Sequence, residues 1–112
     1  MVRDATIIRA KTKYLDEDAH LNVARYADGS TAWQLYSMQG EPLMTPTVCL
    51  MEYGHTPAEG HVIIKDYSEN EGILNCLIEQ GIISEEVHAL EATHVTFYEC
   101  KVLIPTLLAP RG

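Results

Sequence analysis

The chain up to Tyr67 alternates between apolar and polar residues in the manner of β-strands, whose successive side chains point to opposite faces. Near its start, Arg9, Lys11 and Lys13 are interleaved with apolar residues, which predicts a strand with one solvated face. Similar β-rich runs are separated by polar, glycine or proline turns. The pattern predicts strands at residues 4–15, 20–26, 31–37, 43–51 and 61–67.

The connections between these runs are short and rich in turn-forming residues. Asp28 and Gly29 predict a hairpin with a type I′ turn, which needs positive φ at both central positions. Pro46 interrupts the fourth run and predicts either an edge strand or a strand that begins only at Thr47. Connections this short favour antiparallel pairing, because a parallel pair needs a longer crossover.

After Tyr67 the pattern changes to that of a helix. Ser68 and Glu71 have the spacing of a capping box. Helical spacing of apolar residues follows at Ile73, Leu74, Leu77 and Ile78. Gly81 is suited to the left-handed residue that ends a helix. We therefore predict a main helix at about residues 69–80, with Gly72 inside it costing about 1 kcal/mol relative to alanine.

The remaining residues complete the predicted fold. Ser84, followed by two glutamates and two apolar residues, predicts a short second helix at about 84–90. A last strand is predicted at 93–104, and the prolines after it predict a loose tail at about 105–112. The fold class predicted is α+β, an antiparallel sheet of about five to six strands with both helices packed on one face. Residues 1–112 are predicted to form a single domain.

Composition supports a globular protein. Of its 112 residues, 46% are hydrophobic and 21% are charged, which suits one domain with a real core. No apolar run approaches the roughly 20 residues of a membrane span. No signal peptide is visible at the start, so we expect a cytoplasmic protein. The three cysteines are widely spaced and form no C-x-x-C pair, which predicts small buried hydrophobes.

The net charge of −8 is concentrated in one segment. Residues 66–100 contain eight acids and no lysine or arginine, so the other residues carry no net charge. One interpretation is a set of solvated helix faces with glutamates in the first turns. The other is an acidic face that docks on a basic protein surface, such as a nucleic-acid groove. The acids predicted to form it are Asp66, Glu69, Glu71, Glu79, Glu85, Glu86 and Glu91.

Candidate chemistry is sparse. The chain lacks a lysine and arginine stripe for phosphate, so direct binding of nucleic acid is disfavoured. Cys49 and Glu52 lie near two histidines in the sequence, but the spacing matches no standard zinc pattern. No nucleophile, nucleotide or metalloprotease motif is present. We expect no metal, no cofactor and no catalytic residue, with a small hydrolase or transferase using His55, His61 or His94 as the enzyme alternative.

Two stretches carry a resemblance to a known family. Residues 26–36 read Tyr-Ala-Asp-Gly-Ser-Thr-Ala-Trp-Gln-Leu-Tyr and are followed by a Gly-Glu-Pro turn at 40–42 and a Thr-Val-x-Leu run at 47–50. Residues 64–72 read Ile-Lys-Asp-Tyr-Ser-Glu-Asn-Glu-Gly. Over about residues 26–83 the chain resembles small uncharacterised proteins of phages, prophages and conjugative elements, grouped as a domain of unknown function.

The resemblance implies a protein of a mobile genetic element. It implies no particular reaction and no catalytic residues. Small acidic proteins of mobile elements often block host machinery. The leading hypothesis is therefore an anti-defence inhibitor of the anti-CRISPR type, which binds a CRISPR or restriction effector in the bacterial cytoplasm. The alternative is a self-associating structural or regulatory module that forms a symmetric homodimer.

Overall fold

The computed structural model describes residues 6–92 and 94–109. Within this part the chain forms seven strands in two antiparallel sheets, and one α-helix. The first sheet has the order β1-β2-β3-β4, formed by Thr6–Lys11, Asp16–Arg25, Thr31–Ser37 and Pro42–Met44. The second has the order β5-β7-β6, formed by β5 (His61–Lys65), β7 (Thr96–Val102) and β6 (Ile83–Glu91). The helix α1 spans Ile73–Glu79.

The predicted α+β class, one sheet with two helices packed on it, is therefore wrong, because the described chain is mostly β and its strands form two sheets. Residues 84–90 form most of β6 and not a second helix. A seven-residue segment gains little from helix formation by itself, since isolated helices below about 12 residues are marginal. As a strand it pairs with β7, and Val87 lies opposite Cys100 while Leu90 lies opposite Phe97. Tertiary pairing decided the conformation of this segment.

The predicted main helix is shorter than expected and begins differently. Ser68–Asn70 forms a 3₁₀ turn, and Gly72 has a φ of 103°, so the helix starts only at Ile73. The predicted capping box does not form; instead the Asp66 carboxylate accepts the Gly72 N–H (2.7 Å) and the Leu74 N–H (3.1 Å). The predicted helix end is confirmed, since Gly81 has a φ of 71°. Asp66 therefore serves as the helix cap.

The strands predicted for the first sheet agree better with the structure than the predicted helices do. β3 matches the predicted range, and β1 has the predicted solvated face, with Ile8 and Ala10 buried and Arg9 and Lys11 exposed. The hairpin at Asp28 is confirmed, but its turn is a longer one, and within the described part only glycines and Ser68 have positive φ. Residues 16–19, which separate the first two predicted strands in the manner of a polar turn, belong to β2.

The two sheets share one hydrophobic core with α1. Trp33 is fully buried at its centre, and Leu21 and Leu35 of the first sheet lie in the same cluster as Ile64 and Cys100 of the second. A smaller cluster forms on the other face of the second sheet around Leu50, Ile63 and Phe97. The two faces of the second sheet are thus covered by different parts of the chain.

The segment after β7 is held against the core as far as the structure describes it. Leu107 is buried, and its carbonyl accepts the Trp33 indole N–H at 2.8 Å. The Ala109 N–H donates to the Thr31 hydroxyl. The predicted loose tail is therefore packed over residues 105–109, and residues 110–112 lie outside the described residues.

Candidate protein-binding site

The outer side of β1 is covered by the helix. The Arg9 N–H donates to the Gln80 side-chain oxygen at 2.8 Å, and the Gln80 amide donates back to the Arg9 carbonyl at 2.8 Å. The Lys11 N–H lies 3.4 Å from the Cys76 sulfur. An uncovered strand edge invites pairing with another chain, and these contacts occupy the groups through which β1 would pair.

Two further sheet edges are also blocked. β5 is flanked by the segment around Thr47: the Val48 N–H donates to the Ile63 carbonyl and the Lys65 N–H donates to the Pro46 carbonyl. β4, at the far edge of the first sheet, has only three residues and begins with a proline. Short edge strands and prolines are devices that discourage pairing between chains.

β6 differs from the other three edges because its outer side is open. It lies at the end of the second sheet, and among the described residues none pairs with it there. Glu85, Glu86, Val87, His88 and Ala89 are five consecutive exposed residues, although a half-buried strand would bury every second one. We call the outer side of Val87, Ala89 and Glu91 the β6 edge.

The β6 edge is acidic. Glu85, Glu86 and Glu91, three of the seven acids predicted to form a binding face, lie on β6 and are exposed. No lysine or arginine occurs in β6 or in the turn that joins it to β7, and the nearest such residue in the sequence is Lys101. The structure thus brings the later acids of the segment together on one strand.

The four earlier acids of that face have other surroundings. Asp66 is half-buried and engaged as the cap of α1. Glu71 is exposed and lies 3.4 Å from the Lys13 ammonium, so part of its charge is neutralised locally. Glu69 and Glu79 are exposed, on the 3₁₀ turn and on α1 respectively. The predicted face is therefore divided between the segment before α1, the last residue of α1 and β6, and only its β6 part accompanies an open edge.

Two hollows flank β6 on the face of the second sheet that carries the smaller core cluster. One, of about 280 Å³, is mostly apolar: Leu50, Tyr53, Leu90 and Phe97 line it, together with Ala92, His55 and Glu91. Tyr53 is 73% exposed at its rim. The other, of about 310 Å³, is lined by His61, Glu86, Val87, His88 and Glu99. Sequence reasoning missed Leu90 and His88, because their role depends on which strands are neighbours.

The Glu99 carboxylate fixes the loop that covers this face. Its side chain is 12% exposed, and its oxygens lie 2.8 Å from His55 Nε2 and 3.0 Å from the Ala58 N–H. Burial alone would raise the pKa of this carboxyl, but the Ala58 N–H, His55 and the nearby His61 outweigh it and hold the pKa below its usual 4.5. Glu99 is therefore an ionised anchor near neutral pH.

The lowered pKa of Glu99 predicts a loss of stability in acid. A carboxyl with a depressed pKa in the folded protein contributes stability above its unfolded pKa, and that contribution disappears as the pH falls through the folded pKa. We expect Glu99→Gln to lower the urea midpoint at pH 6–7, and the difference from wild type to shrink below pH about 4. A difference in urea midpoint that stays constant from pH 7 to pH 3 would contradict a stabilising role of the ionised Glu99 carboxylate.

The histidines and cysteines do not assemble a metal centre in the described part of the chain. There, no group of three or more His, Cys, Asp or Glu side chains is placed to hold an ion. His55 contacts Glu99, His61 contacts the Glu59 carbonyl, and His94 is exposed in the β6–β7 turn. Cys76 and Cys100 are buried as predicted, and burial raises the pKa of Cys100 to about 12, whereas Cys49 is partly exposed.

A further hollow, of about 710 Å³, lies between the β2–β3 turn, residues 56–61 and residues 108–109. Part of its polar lining serves the chain itself: the Ser30 N–H and hydroxyl donate to Asp28, and the Thr31 hydroxyl accepts from the Ala109 N–H. These bonds stabilise the hairpin and hold the end of the chain. The hollow is therefore a weaker candidate for a binding site than the β6 edge.

Comparisons of this chain with protein-family models, with curated proteins and with solved structures found no match. The resemblance to a mobile-element family therefore stays a prediction. Among the described residues, no helix is long and apolar enough to cross a membrane.

Proposed function

We propose that the protein is a binding protein that docks on a basic protein surface through the acidic strand β6. The observation that carries the proposal is the coincidence of an exposed strand, three glutamates and an open sheet edge. Complementary charge raises association rates and discourages wrong partners. With a net charge of −8, the electrostatic attraction also acts on a basic partner before the two surfaces touch.

The specific form of this proposal is an inhibitor of a bacterial defence nuclease, acting in the cytoplasm of the host. Such enzymes have basic channels for nucleic acid, and an acidic protein can compete for them. The support is electrostatic: β6 has three glutamates and neither lysine nor arginine among its residues. The CRISPR or restriction effector is the partner that the sequence hypothesis names.

Self-association through β6 is the second candidate, and the open edge favours it. A symmetric pair of β6 strands would bury six glutamates at one interface, three from each copy. Like charges at close range oppose that association. A monomer by light scattering at about 100 µM protein and low salt would remove this candidate, whereas a dimer would make it the leading one.

Charge reversal on β6 tests the proposed function. Bacteria with an active CRISPR or restriction nuclease are challenged with a targeted phage while they express the protein, and we expect wild type to raise plating efficiency. Glu86→Lys should lower affinity for the effector by roughly tenfold or more, because a like charge then faces the basic surface. Glu41→Lys is the matched control, since Glu41 is also exposed but lies in the β3–β4 turn.

The outcomes of this experiment are distinct. If Glu86→Lys and Glu41→Lys lose affinity for the effector equally, the effect comes from net charge in general, which would contradict a β6 interface. No protection of the phage by wild type against any of the nucleases tested would contradict the inhibitor form of the proposal. Melting temperatures of both variants should stay near wild type, because exposed surface substitutions change stability little.

A further inference from the structure

We propose that the β6 edge binds its partner by strand addition: an extended, basic segment of another protein pairs antiparallel with β6 as a fourth strand of the second sheet. This inference rests on the proposed function and names the form of the partner. Strand addition obtains affinity from main-chain hydrogen bonds and specificity from pockets for alternate side chains. Both are present at β6.

The backbone geometry identifies which groups of β6 are free to pair. In an antiparallel ladder, hydrogen-bonded and non-bonded pairs alternate along the strands. The Val102 N–H donates to the Gly60 carbonyl beside β5, so alternate residues of β7 point toward β5 and the others toward β6. The Ala92 N–H donates to the Val95 carbonyl, which agrees with this alternation.

The alternation assigns each backbone group of β6 to one side. His88 and Leu90, opposite Glu99 and Phe97, direct their N–H and C=O groups to β7. Val87, Ala89 and Glu91 direct theirs away from the sheet. The β6 edge therefore offers three N–H and three C=O groups in the register that an antiparallel strand needs.

The two hollows specify the side chains of the added strand. Leu90 and Phe97 line the apolar hollow, and Glu86, His88 and Glu99 line the other, on the same face of the sheet. A residue of the added strand beside Leu90 would place an apolar side chain at the first hollow. A residue two positions along, beside His88, would place an arginine or lysine near Glu86 and Glu99. The partner segment therefore alternates, with basic and apolar residues on one face.

Charge decides between a foreign segment and a second copy of this chain. A second β6 would bring glutamates to glutamates, and β1, the basic strand of this protein, has its outer side covered by α1 through Gln80 and Cys76. A basic segment from another protein meets no such opposition. The occupant of the β6 edge is accordingly a basic strand of a different protein.

A synthetic peptide tests this mode of binding. The nine-residue probe Arg-Thr-Arg-Thr-Leu-Thr-Arg-Thr-Arg carries a fluorescent label and places its leucine beside Leu90 in antiparallel register. Its threonine N–H groups then face the β6 edge, and its arginine N–H groups face away. We expect N-methylation of the threonines to weaken binding at least tenfold in an anisotropy titration, and N-methylation of the arginines to weaken it less than threefold.

A change in the protein provides the second arm. Ala89→Pro removes an outward N–H and leaves the groups that pair with β7, a position where an edge strand tolerates proline. We expect at least tenfold weaker binding of the unmodified probe with a melting temperature near that of wild type. Ala89→Ser keeps the N–H and should bind the probe as wild type does.

The outcomes separate this inference from the proposed function. If Glu86→Lys weakens probe binding while Ala89→Pro and both N-methylated peptides bind like their controls, the face binds by charge alone and strand addition is overturned. If Glu86→Lys also has no effect, the acidic docking face itself is overturned. Should Ala89→Pro fail to fold, the two N-methylated peptides still decide the question with the wild-type protein.

Discussion

Replacing Trp33 by alanine should lower the free energy of unfolding by about 3–5 kcal/mol, the range for large aromatic side chains in cores. Trp33 is fully buried, and it joins three parts of the chain that are distant in sequence. Its indole N–H donates to the Leu107 carbonyl at 2.8 Å, and its backbone N–H donates to the Thr47 hydroxyl at 2.9 Å. A loss this large is a substantial part of the stability of a small domain.

Urea unfolding followed by circular dichroism measures this loss, and two further variants apportion it. Trp33→Phe keeps most of the apolar volume but leaves the Leu107 carbonyl without its donor, which should cost about 1–3 kcal/mol. Tyr36→Phe, on the same strand but on the other face, removes only the bond to the exposed Gln34. It should change stability by less than about 0.5 kcal/mol. A Trp33→Ala loss below 1 kcal/mol would contradict the core described above.

Replacing Gly72 by alanine should lower stability by about 3 kcal/mol, although helix propensity alone predicts a gain. Gly72 has a φ of 103°, where a side chain is strained. A Cβ there would lie 3.1 Å from the Thr12 Cα and 3.2 Å from the Lys13 N, both backbone atoms. The Lys13 N–H also donates to the Glu71 carbonyl at 2.8 Å, so these two segments cannot easily separate.

Gly40→Ala is the matched control for this effect. Gly40 has a similar φ of 89°, but a Cβ there would meet nothing within 4 Å. It should therefore show only the conformational penalty, about 1 kcal/mol. Thermal or urea unfolding of both variants separates strain from close contact. Equal losses of stability in the two variants would show that contact with Thr12 contributes nothing. A gain of stability in Gly72→Ala would indicate that Gly72 lies inside a helix, as predicted from sequence.

β1, β2 and β3 could be predicted from sequence because each shows the strand signal locally, whereas the strand predicted at 43–51 is only Pro42–Met44. Ile8 and Ala10 alternate with Arg9 and Lys11, and a turn at Asp28 and Gly29 separates β2 from β3. The alternation of β3 also places Trp33 inside. Where one face of a strand is buried and the other is exposed to solvent, the alternation of apolar and polar residues predicts both the strand and its buried face.

In the second sheet, β5 and β7 lie within the strands predicted at 61–67 and 93–104, but β6 could not be predicted because it depends on a partner distant in sequence. Val87 and Leu90 have the spacing of a short helix, and only pairing with β7 makes the segment a strand. Asp66 was predicted to bind a partner, but the path of residues 67–72 makes it a helix cap. The acidity of the segment was visible in the sequence, whereas the open edge beside three of its glutamates was not.

Amide hydrogen exchange of the free protein, read residue by residue by NMR, tests most directly that β6 is an edge strand with an open outer side. The amides of His88 and Leu90 should exchange slowly, since they pair with β7, while those of Val87, Ala89 and Glu91 exchange fast. Slow exchange at all five positions would show that something covers the β6 edge. Uniformly fast exchange would show that residues 84–90 do not form the strand, and either result would contradict the account.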